Sequence, residues 1–315
     1  MTANNGSNYD GNNGGSAGDT TATPVYKNIQ AASAPHPAGP WTYLASADPL
    51  PSTGPWALSG PDAQVWAPSV ARLNGSAYVL YYAALVAPGY AGDGDGDGDG
   101  DGDGDGDGPR RLHCVGAATS TTASPLGPYR PRPEPLACPA ADGGAIDPAA
   151  FADPATGRRY VAYKVDGNAL GRGGECNNGL PPRRRTPLML QEVDRRDGLR
   201  PLGPAVEILD RHPDPAVDGP LVEAPDLLNH CWDGPGYSVN YAVADGNITG
   251  PYKRAAGGGR RALIGTGDRL NVTAPGGAAS VPGGRWLLFH GNCPQGRCLF
   301  GAEMEVAPGG RVVVS

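Results

Sequence analysis

Residues 115–129 read VGAATSTTASPLGPY: an alternating stretch of small and apolar residues, a turn of small polar residues, and then Gly-Pro-aromatic. The same order recurs in IQAASAPHPAGPW at 29–41 and in YAVADGNITGPY at 241–252. A repeat spaced by tens of residues is typical of solenoids and propellers. Because each copy reads as strands and turns, we predict an all-β propeller of four-stranded blades. A two-sheet sandwich, which also has short strands and many turn signals, is the alternative.

Five units of this kind predict a single five-bladed propeller domain over residues 25–315, after a low-complexity segment at 1–24. Their approximate bounds are 25–60, 65–135, 145–210, 221–255 and 272–310. The second and third units have room for four strands, whereas the first and fourth are short. We therefore expect incomplete first and fourth blades. The 50 Gly and 34 Pro of the chain agree with many short strands joined by tight turns.

An Asp-Gly run dominates the charge of the chain. It supplies eight of the 32 acidic residues, and without it 24 acids face 25 Lys and Arg, so the formal charge of −7 does not describe the rest of the protein. We expect a disordered insertion at 92–109, because Gly is flexible and the like charges repel. The near-neutral remainder has no basic stripe for nucleic acid. No apolar run approaches the roughly 18 residues of a membrane span.

Six cysteines and four Asn-x-Ser/Thr sequons suit an oxidising, secretory environment. Plausible disulfides join Cys293 to Cys298 and Cys114 to Cys138, although six cysteines allow 15 pairings. The polar start MTANNGSNYD is unlike a signal peptide. We expect a secreted protein whose signal peptide is absent from this chain, lost with the N-terminus.

Two carboxylates stand in apolar strand patterns close to a proline. Asp147 lies in GGAIDPAAF and Glu223 lies in PLVEAP. The innermost strands of a propeller line its central channel, so acids on different blades can converge there. Two carboxyl groups that flank a bond are the apparatus of glycoside hydrolysis. The simpler interpretations are that Asp-Pro starts a turn and that Glu223 is a solvated strand residue.

Four blocks of the chain resemble glycoside hydrolase family 43, and more narrowly a fungal branch of it. They are VWAPSVARLNGSAYVLYYAA at 65–84, HCVGAATSTTASPLGPY at 113–129, GGAIDPAAFADPATGRRYVAYKVDGN at 143–168 and DGPLVEAPDLL at 218–228. The stretch APGGAASVPGGRWLLFHGN at 274–292 resembles the block with a central histidine. The resemblance runs from about Val25 to the C-terminus and implies a five-bladed propeller that acts on arabinan, xylan and related plant polysaccharides.

The resemblance implies an inverting mechanism with three acids. Glu223 matches the general acid and Asp147 the acid that orients it. The general base has no match: its strand would lie before Met1, and Asp10, Asp19 and Asp48 do not fit. A strand that the family has after VEAPDLL is also missing here. We therefore expect this chain to be inactive or nearly so, with a catalytically inactive carbohydrate-binding propeller as the alternative.

Two further side chains are predicted to bind substrate, His290 at the channel centre and Trp66 by stacking on a sugar. A core histidine and a packing tryptophan are the alternatives. No metal ligands or cofactor are expected, with a central calcium ion near His290 kept as an alternative. The expected partner is a plant cell-wall polysaccharide or oligosaccharide, bound by a monomer that contacts neither nucleic acid nor membrane.

Overall fold

The computed structural model describes residues 2–3, 26–90, 112–225, 236–255, 262–281, 283–294, 296–308 and 310–315. The Asp-Gly run, Asp10, Asp19, Trp232 and the junction after Leu228 lie outside these residues, as does most of the 1–24 segment. The strands, in chain order, are β1 (Thr2–Ala3), β2 (Ile29–Gln30), β3 (Ala32–Ser33), β4 (Thr42–Tyr43), β5 (Trp66–Asn74), β6 (Ala77–Leu85), β7 (His113–Ser120), β8 (Tyr129–Pro131), β9 (Ala145–Ala152), β10 (Arg159–Val165), β11 (Leu188–Val193), β12 (Val206–Leu209), β13 (Ala242–Ala244), β14 (Tyr252–Arg254), β15 (Thr273–Ser280), β16 (Trp286–Cys293), β17 (Gly296–Ala307) and β18 (Arg311–Val314).

The described helices are short. One α-helical turn, α1, covers Pro215–Asp218, and 3-10 turns cover Gly60–Ala63, Ala140–Asp142, Gly167–Leu170 and Glu175–Asn177. None of the described helices is long and apolar enough to cross a membrane.

Three antiparallel four-stranded sheets form complete blades. The strand orders are β5-β6-β7-β8, β9-β10-β11-β12 and β15-β16-β17-β18, and we call these sheets blades two, three and five. Blade one holds the two-stranded pairs β1-β2 and β3-β4, and blade four, which starts at Leu221, holds the pair β13-β14. Separate sheets of consecutive strands are the arrangement of a five-bladed propeller and not of a two-sheet sandwich. The predicted all-β propeller fold is confirmed, and the incomplete first and fourth blades stay a prediction.

The Gly-Pro-aromatic repeat has a common structural basis. Each Gly-Pro peptide bond of the three copies is cis. Each aromatic ring then donates a hydrogen bond to the carbonyl oxygen four residues earlier, which closes the turn before the outer strand. The three bonds are Trp41 Nε1 to Pro37 (3.2 Å), Tyr129 Oη to Pro125 (2.9 Å) and Tyr252 Oη to Ile248 (2.9 Å). This turn, which we call the aromatic clip, explains why the repeat could be found in the sequence.

The core fills the spaces between neighbouring blades. Strand β6 alternates its side chains between two clusters: Leu80 and Tyr82 pack towards Trp56 on one side, and Val79 and Tyr81 pack towards blade three on the other. The strand period of two produces this division, because successive side chains point to opposite faces. Strand β6 therefore has an apolar side chain towards each of its two neighbouring clusters.

The first and last blades meet through a turn of blade one. His36 packs edge-on against Trp286 of β16, with ring centroids 4.9 Å apart. A Cβ at Gly301 of β17 would lie 3.1 Å from the Pro37 carbonyl oxygen, so the two backbones approach closely there. These contacts close the ring.

Both predicted disulfides are present. Cys114–Cys138 ties β7 to the loop after β8, and Cys293–Cys298 spans the turn between β16 and β17. Cys176 is also disulfide-bonded. Every described cysteine is thus oxidised.

Candidate active site

One backbone feature recurs on the inner strands of four blades. A residue with positive φ stands directly before a proline, although the residue before proline normally adopts an extended conformation. The four residues are Ala67 (φ 44°), Asp147 (φ 55°), Ala224 (φ 47°) and Ala274 (φ 50°). Such strained residues concentrate at functional sites. We call this feature the X-Pro step. In the sequence it corresponds to the X-Pro dipeptides at 67–68, 147–148, 224–225 and 274–275.

Two of these X-Pro steps bring the predicted acids together. Asp147 is the step residue of blade three, and Glu223 directly precedes the step residue of blade four. The Ala224 backbone N–H donates to Asp147 Oδ2 at 2.9 Å. The Asp147 carboxylate therefore crosses to the neighbouring blade and lies next to the Glu223 peptide. The structure thus brings Asp147 and Glu223 together, and their catalytic roles stay a prediction.

A buried lysine contacts Glu223 and a third acid, Asp166, and the sequence analysis did not identify it. Lys164 of β10 has a fully buried side chain, and its Nζ lies 2.9 Å from Asp166 Oδ1 and 3.3 Å from Glu223 Oε2. A buried ammonium group is tolerated only when it is paired. The sequence feature that could have indicated it is a lysine inside the apolar strand pattern RRYVAYKVDG.

Burial has the largest effect on the pKa of both Asp147 and Glu223. It raises the pKa of Glu223 to about 7, with Lys164 opposing the rise and Asp147 and Asp166 adding to it. Burial also raises the pKa of Asp147, against the lowering effects of Lys164 and the Ala224 N–H. A carboxylic acid that keeps its proton up to neutral pH is suited to donate that proton to a substrate.

Tyr237 lies close to Glu223. Burial first, and then the charges of Glu223 and Asp147, raise the pKa of Tyr237 well above its ordinary value. A Cβ at Gly276 would lie 1.7 Å from Tyr237 Cε1, so only glycine leaves room for this ring. The contact joins residues far apart in the chain, and no local pattern marks it.

His290 lies behind Tyr237, and the two rings stack with centroids 6.0 Å apart. Arg297 hydrogen-bonds His290 Nδ1 and lies over the Tyr237 ring, 5.7 Å from its centroid. Burial and the Arg297 charge lower the pKa of His290 to about 3, so the ring is neutral. The predicted substrate contact of His290 stays a prediction.

The surroundings of His290 do not fit a calcium ion. Calcium is bound by six to eight oxygen ligands, whereas the Nδ1 of this ring faces a guanidinium cation. A Cβ on Gly277 would lie 2.4 Å from Nε2, which leaves little space on that side. No group of three His, Cys, Asp or Glu in the described ranges could hold a metal ion.

Trp66 directly precedes the X-Pro step of blade two, the same position that Glu223 has in blade four. Its ring stacks on His113 with centroids 3.6 Å apart. Its indole N–H is buried without an acceptor among the described residues. These contacts favour a packing role, and sugar stacking by Trp66 stays a prediction.

The inner strands of blades two to five hold few acids. In the described part of the chain, β5, β9, β15 and residues 221–225 hold two acids, Asp147 and Glu223. Ser69 accepts a hydrogen bond from the Ala150 N–H of blade three at 3.1 Å. This bond links blades two and three.

Asp48 serves the structure of blade one. Its carboxylate accepts hydrogen bonds from the backbone N–H groups of Asn28 (3.0 Å), Ile29 (3.3 Å) and Leu50 (3.1 Å). These bonds occupy both oxygens of the Asp48 carboxylate.

Comparison with known proteins identifies the architecture. No protein-family model matches the sequence, and no curated protein matches it. Among solved structures, a thermostable family-43 glycoside hydrolase is 19% identical, with a TM-score of 0.60 over 87% of this chain and 81% of that one.

Two further structures match in a similar way. An endo-1,4-beta-xylanase from Bacteroides thetaiotaomicron VPI-5482 is 17% identical, with a TM-score of 0.55 over 87% of this chain and 81% of that one. An alpha-L-arabinofuranosidase from Lactobacillus brevis is 12% identical, with a TM-score of 0.55 over 80% of this chain and 78% of that one. At these identities the likeness concerns the fold, and it agrees with the resemblance found in the sequence. The chain has the five-bladed β-propeller fold of the family-43 glycoside hydrolases.

Proposed function

We propose that this protein is a glycoside hydrolase that cleaves arabinose- or xylose-containing plant polysaccharides with inversion. The observation that carries the proposal is the pairing of Glu223 and Asp147 across blades three and four through the Ala224 N–H. The glycosidases and the xylanase among the similar structures support the substrate class. The disulfides support action outside the cell, and we propose that the protein works there as a monomer.

In this mechanism Glu223 protonates the leaving oxygen while water attacks the sugar from the opposite face. Glu223 keeps its proton below pH 7 because its carboxyl is buried. Asp147 binds the Ala224 N–H and so orients the peptide that carries Glu223. In inverting enzymes the acid and the base stand roughly 6.5–9.5 Å apart, which leaves room for the water.

No general base is assigned among the acids described above. Asp147 and Glu223 already have roles, Asp166 is paired with Lys164, and Asp48 accepts hydrogen bonds from blade one. We therefore expect the 315-residue chain to hydrolyse its substrates slowly or not at all in plain buffer.

Chemical rescue tests the proposal. The purified chain is incubated with arabinan, arabinoxylan, and aryl arabinofuranosides and xylosides, with and without azide. Azide can replace water without a base, so we expect azide-dependent release of the phenol and a glycosyl azide of inverted configuration, identified by proton NMR. The Glu223→Gln variant controls for background cleavage of the natural substrates. Absence of cleavage from every substrate, with or without azide, would refute the proposed hydrolysis.

A carbohydrate-binding propeller without catalysis is the second candidate. The restriction of the described inner strands to two acids favours it. Calorimetric titration with arabino- and xylo-oligosaccharides tests this function. Binding that survives in wild type and in Asp147→Asn, without turnover in azide, would favour a binding protein over an enzyme.

A further inference from the structure

Lys164 occupies a position that the proposed roles of Asp147 and Glu223 do not explain. It lies on β10 directly opposite Ile146, the residue before Asp147. Its Nζ touches both Asp166 and Glu223. Burial of a charged group costs desolvation free energy unless partners compensate it. The fold therefore spends desolvation free energy to keep the Lys164 ammonium group beside Glu223.

The charged and titratable groups around Glu223 come from several elements. Asp147 of β9, Lys164 of β10 and Asp166 after β10 all act on it electrostatically. Tyr237 also interacts electrostatically with it, and Arg297 of β17 and His290 of β16 lie against the Tyr237 ring. Lys164 is thus the cation in direct contact with the Glu223 carboxyl.

We propose that Lys164 is a positioning residue for Glu223: its ammonium group fixes where the carboxyl lies and stabilises the carboxylate that forms when Glu223 gives up its proton. This inference rests on the proposed role of Glu223 as general acid. Asp166 holds the ammonium group from the other side at 2.9 Å. The lysine is therefore anchored before any substrate arrives, and its charge costs no reorganisation during the reaction.

The proton transfer shows what the lysine contributes. The O–H bond of Glu223 breaks, the proton moves to the glycosidic oxygen, and the electron pair of the bond stays on the Glu223 carboxylate. The ammonium group, 3.3 Å from Oε2, is attracted to this new negative charge more strongly than to the neutral acid. Burial lowers the pKa of Lys164, but Asp166, Glu223 and Asp147 outweigh it and raise the pKa, so the lysine stays cationic.

Nuclear magnetic resonance of the wild-type protein provides the first test. The sequence holds three lysines, Lys27, Lys164 and Lys253, and seven glutamates, so selectively labelled spectra are simple. We expect the Lys164 ¹⁵Nζ signal and the Glu223 carboxyl carbon signal to inflect at the same pH, near 7. The Lys27 and Lys253 signals serve as internal references. A Lys164 signal that stays flat while Glu223 titrates would overturn the proposal.

Variants provide the second test. Lys164→Met should move the titration midpoint of Glu223 upwards by about one pH unit or more, since an adjacent opposite charge lowers a carboxyl pKa by about 1–3 units. Lys164→Arg, which keeps the cation, should return the midpoint towards its wild-type value. The exposed Lys253→Met is the matched control. A folded Lys164→Met protein with an unchanged Glu223 midpoint would refute the proposal, and if this variant does not fold, the wild-type titration decides.

These titrations do not depend on turnover, so they separate the two proposals. Linked titration without hydrolysis in azide would sustain the contact between Lys164 and Glu223 and refute the proposed hydrolysis. Hydrolysis without linked titration would sustain the proposed hydrolysis and refute the proposed role of Lys164. If hydrolysis is found, Lys164→Met should lower kcat for xylan or arabinan at least tenfold and shift the alkaline limb of the pH profile upwards.

Discussion

At the scale of single residues, Asp147 and Glu223 could be singled out from the sequence, whereas the residues beside them, Lys164 and Tyr237, were not. Asp147 and Glu223 stood out as acids in apolar strands beside a proline, and the X-Pro steps explain why that pattern marks the centre. Lys164 carried a comparable signal but was missed, because a strand lysine usually faces solvent. Tyr237 lies close to Glu223 in a space that Gly276 leaves, which depends on packing between two blades.

The first prediction concerns the leaving group. In azide, Glu223→Gln should slow cleavage of arabinan or xylan by about 10²–10⁴-fold, the usual contribution of a general acid. Aryl glycosides with acidic phenols should be affected much less, because their leaving oxygen needs no proton. Initial rates on both substrates, with Asp147→Asn as the comparison, measure this. Equal losses on both substrates would exclude Glu223 as the proton donor.

The second prediction concerns stability and pH. The pKa of Glu223 is about 7 in the folded protein, above its ordinary value of 4.5. The protonated form is thus favoured by folding, and its stabilising effect is complete below pH 4.5 and lost as the pH rises through 7. Relative to Glu223→Gln, the wild type should therefore lose stability between pH 4.5 and 7. Thermal unfolding at steps of half a pH unit tests this, and a constant difference between the two would contradict it.

At the scale of elements, the aromatic clip connects the repeat in the sequence to the blade structure. The repeat was visible because the turn needs a fixed order of residues: glycine, proline and a ring with a hydrogen-bond donor. Three of the five predicted units, the first, second and fourth, contain such a clip. The short strands of blade one were harder to predict, since two-residue pairings such as β3-β4 have no periodicity to detect.

The third prediction removes one clip. Tyr129→Phe and Tyr252→Phe each delete the hydroxyl that bonds the carbonyl four residues earlier. Each change should lower the free energy of unfolding by about 1 kcal/mol. Denaturant unfolding measures the effect, and Tyr90→Phe, at an exposed tyrosine, is the control. A loss in the control as large as in the clip variants would show that the clips add no specific stability.

At the scale of the whole molecule, the ring is closed by packing between blades one and five. His36 and Trp286 supply a side-chain contact there, and Gly301 lets the Pro37 carbonyl approach. The number of blades was predictable from the repeats, but the closure contact was not. It joins residues 250 positions apart, and neither has a sequence neighbour that indicates the other.

The fourth prediction measures the closure. His36→Ala and Trp286→Ala should each destabilise the protein, and the double variant should lose less than the sum of the two. The expected coupling is about 0.5–1.5 kcal/mol, the usual range for a packed aromatic pair. A double-mutant cycle by denaturant unfolding gives this value. Simple additivity would show that the two rings do not contribute through their contact.

The X-Pro steps give four blades the same backbone conformation at equivalent positions. Asp147 shows that an acid is accommodated at such a step, and Asp tolerates positive φ better than alanine does. Ala67 and Ala274 have the same backbone conformation on other blades. Ala274 is fully buried whereas Ala67 is part-exposed, so exchange of Ala67 for aspartate would place a new carboxylate at an equivalent step. The propeller is in this sense a template in which functional groups can be moved from blade to blade.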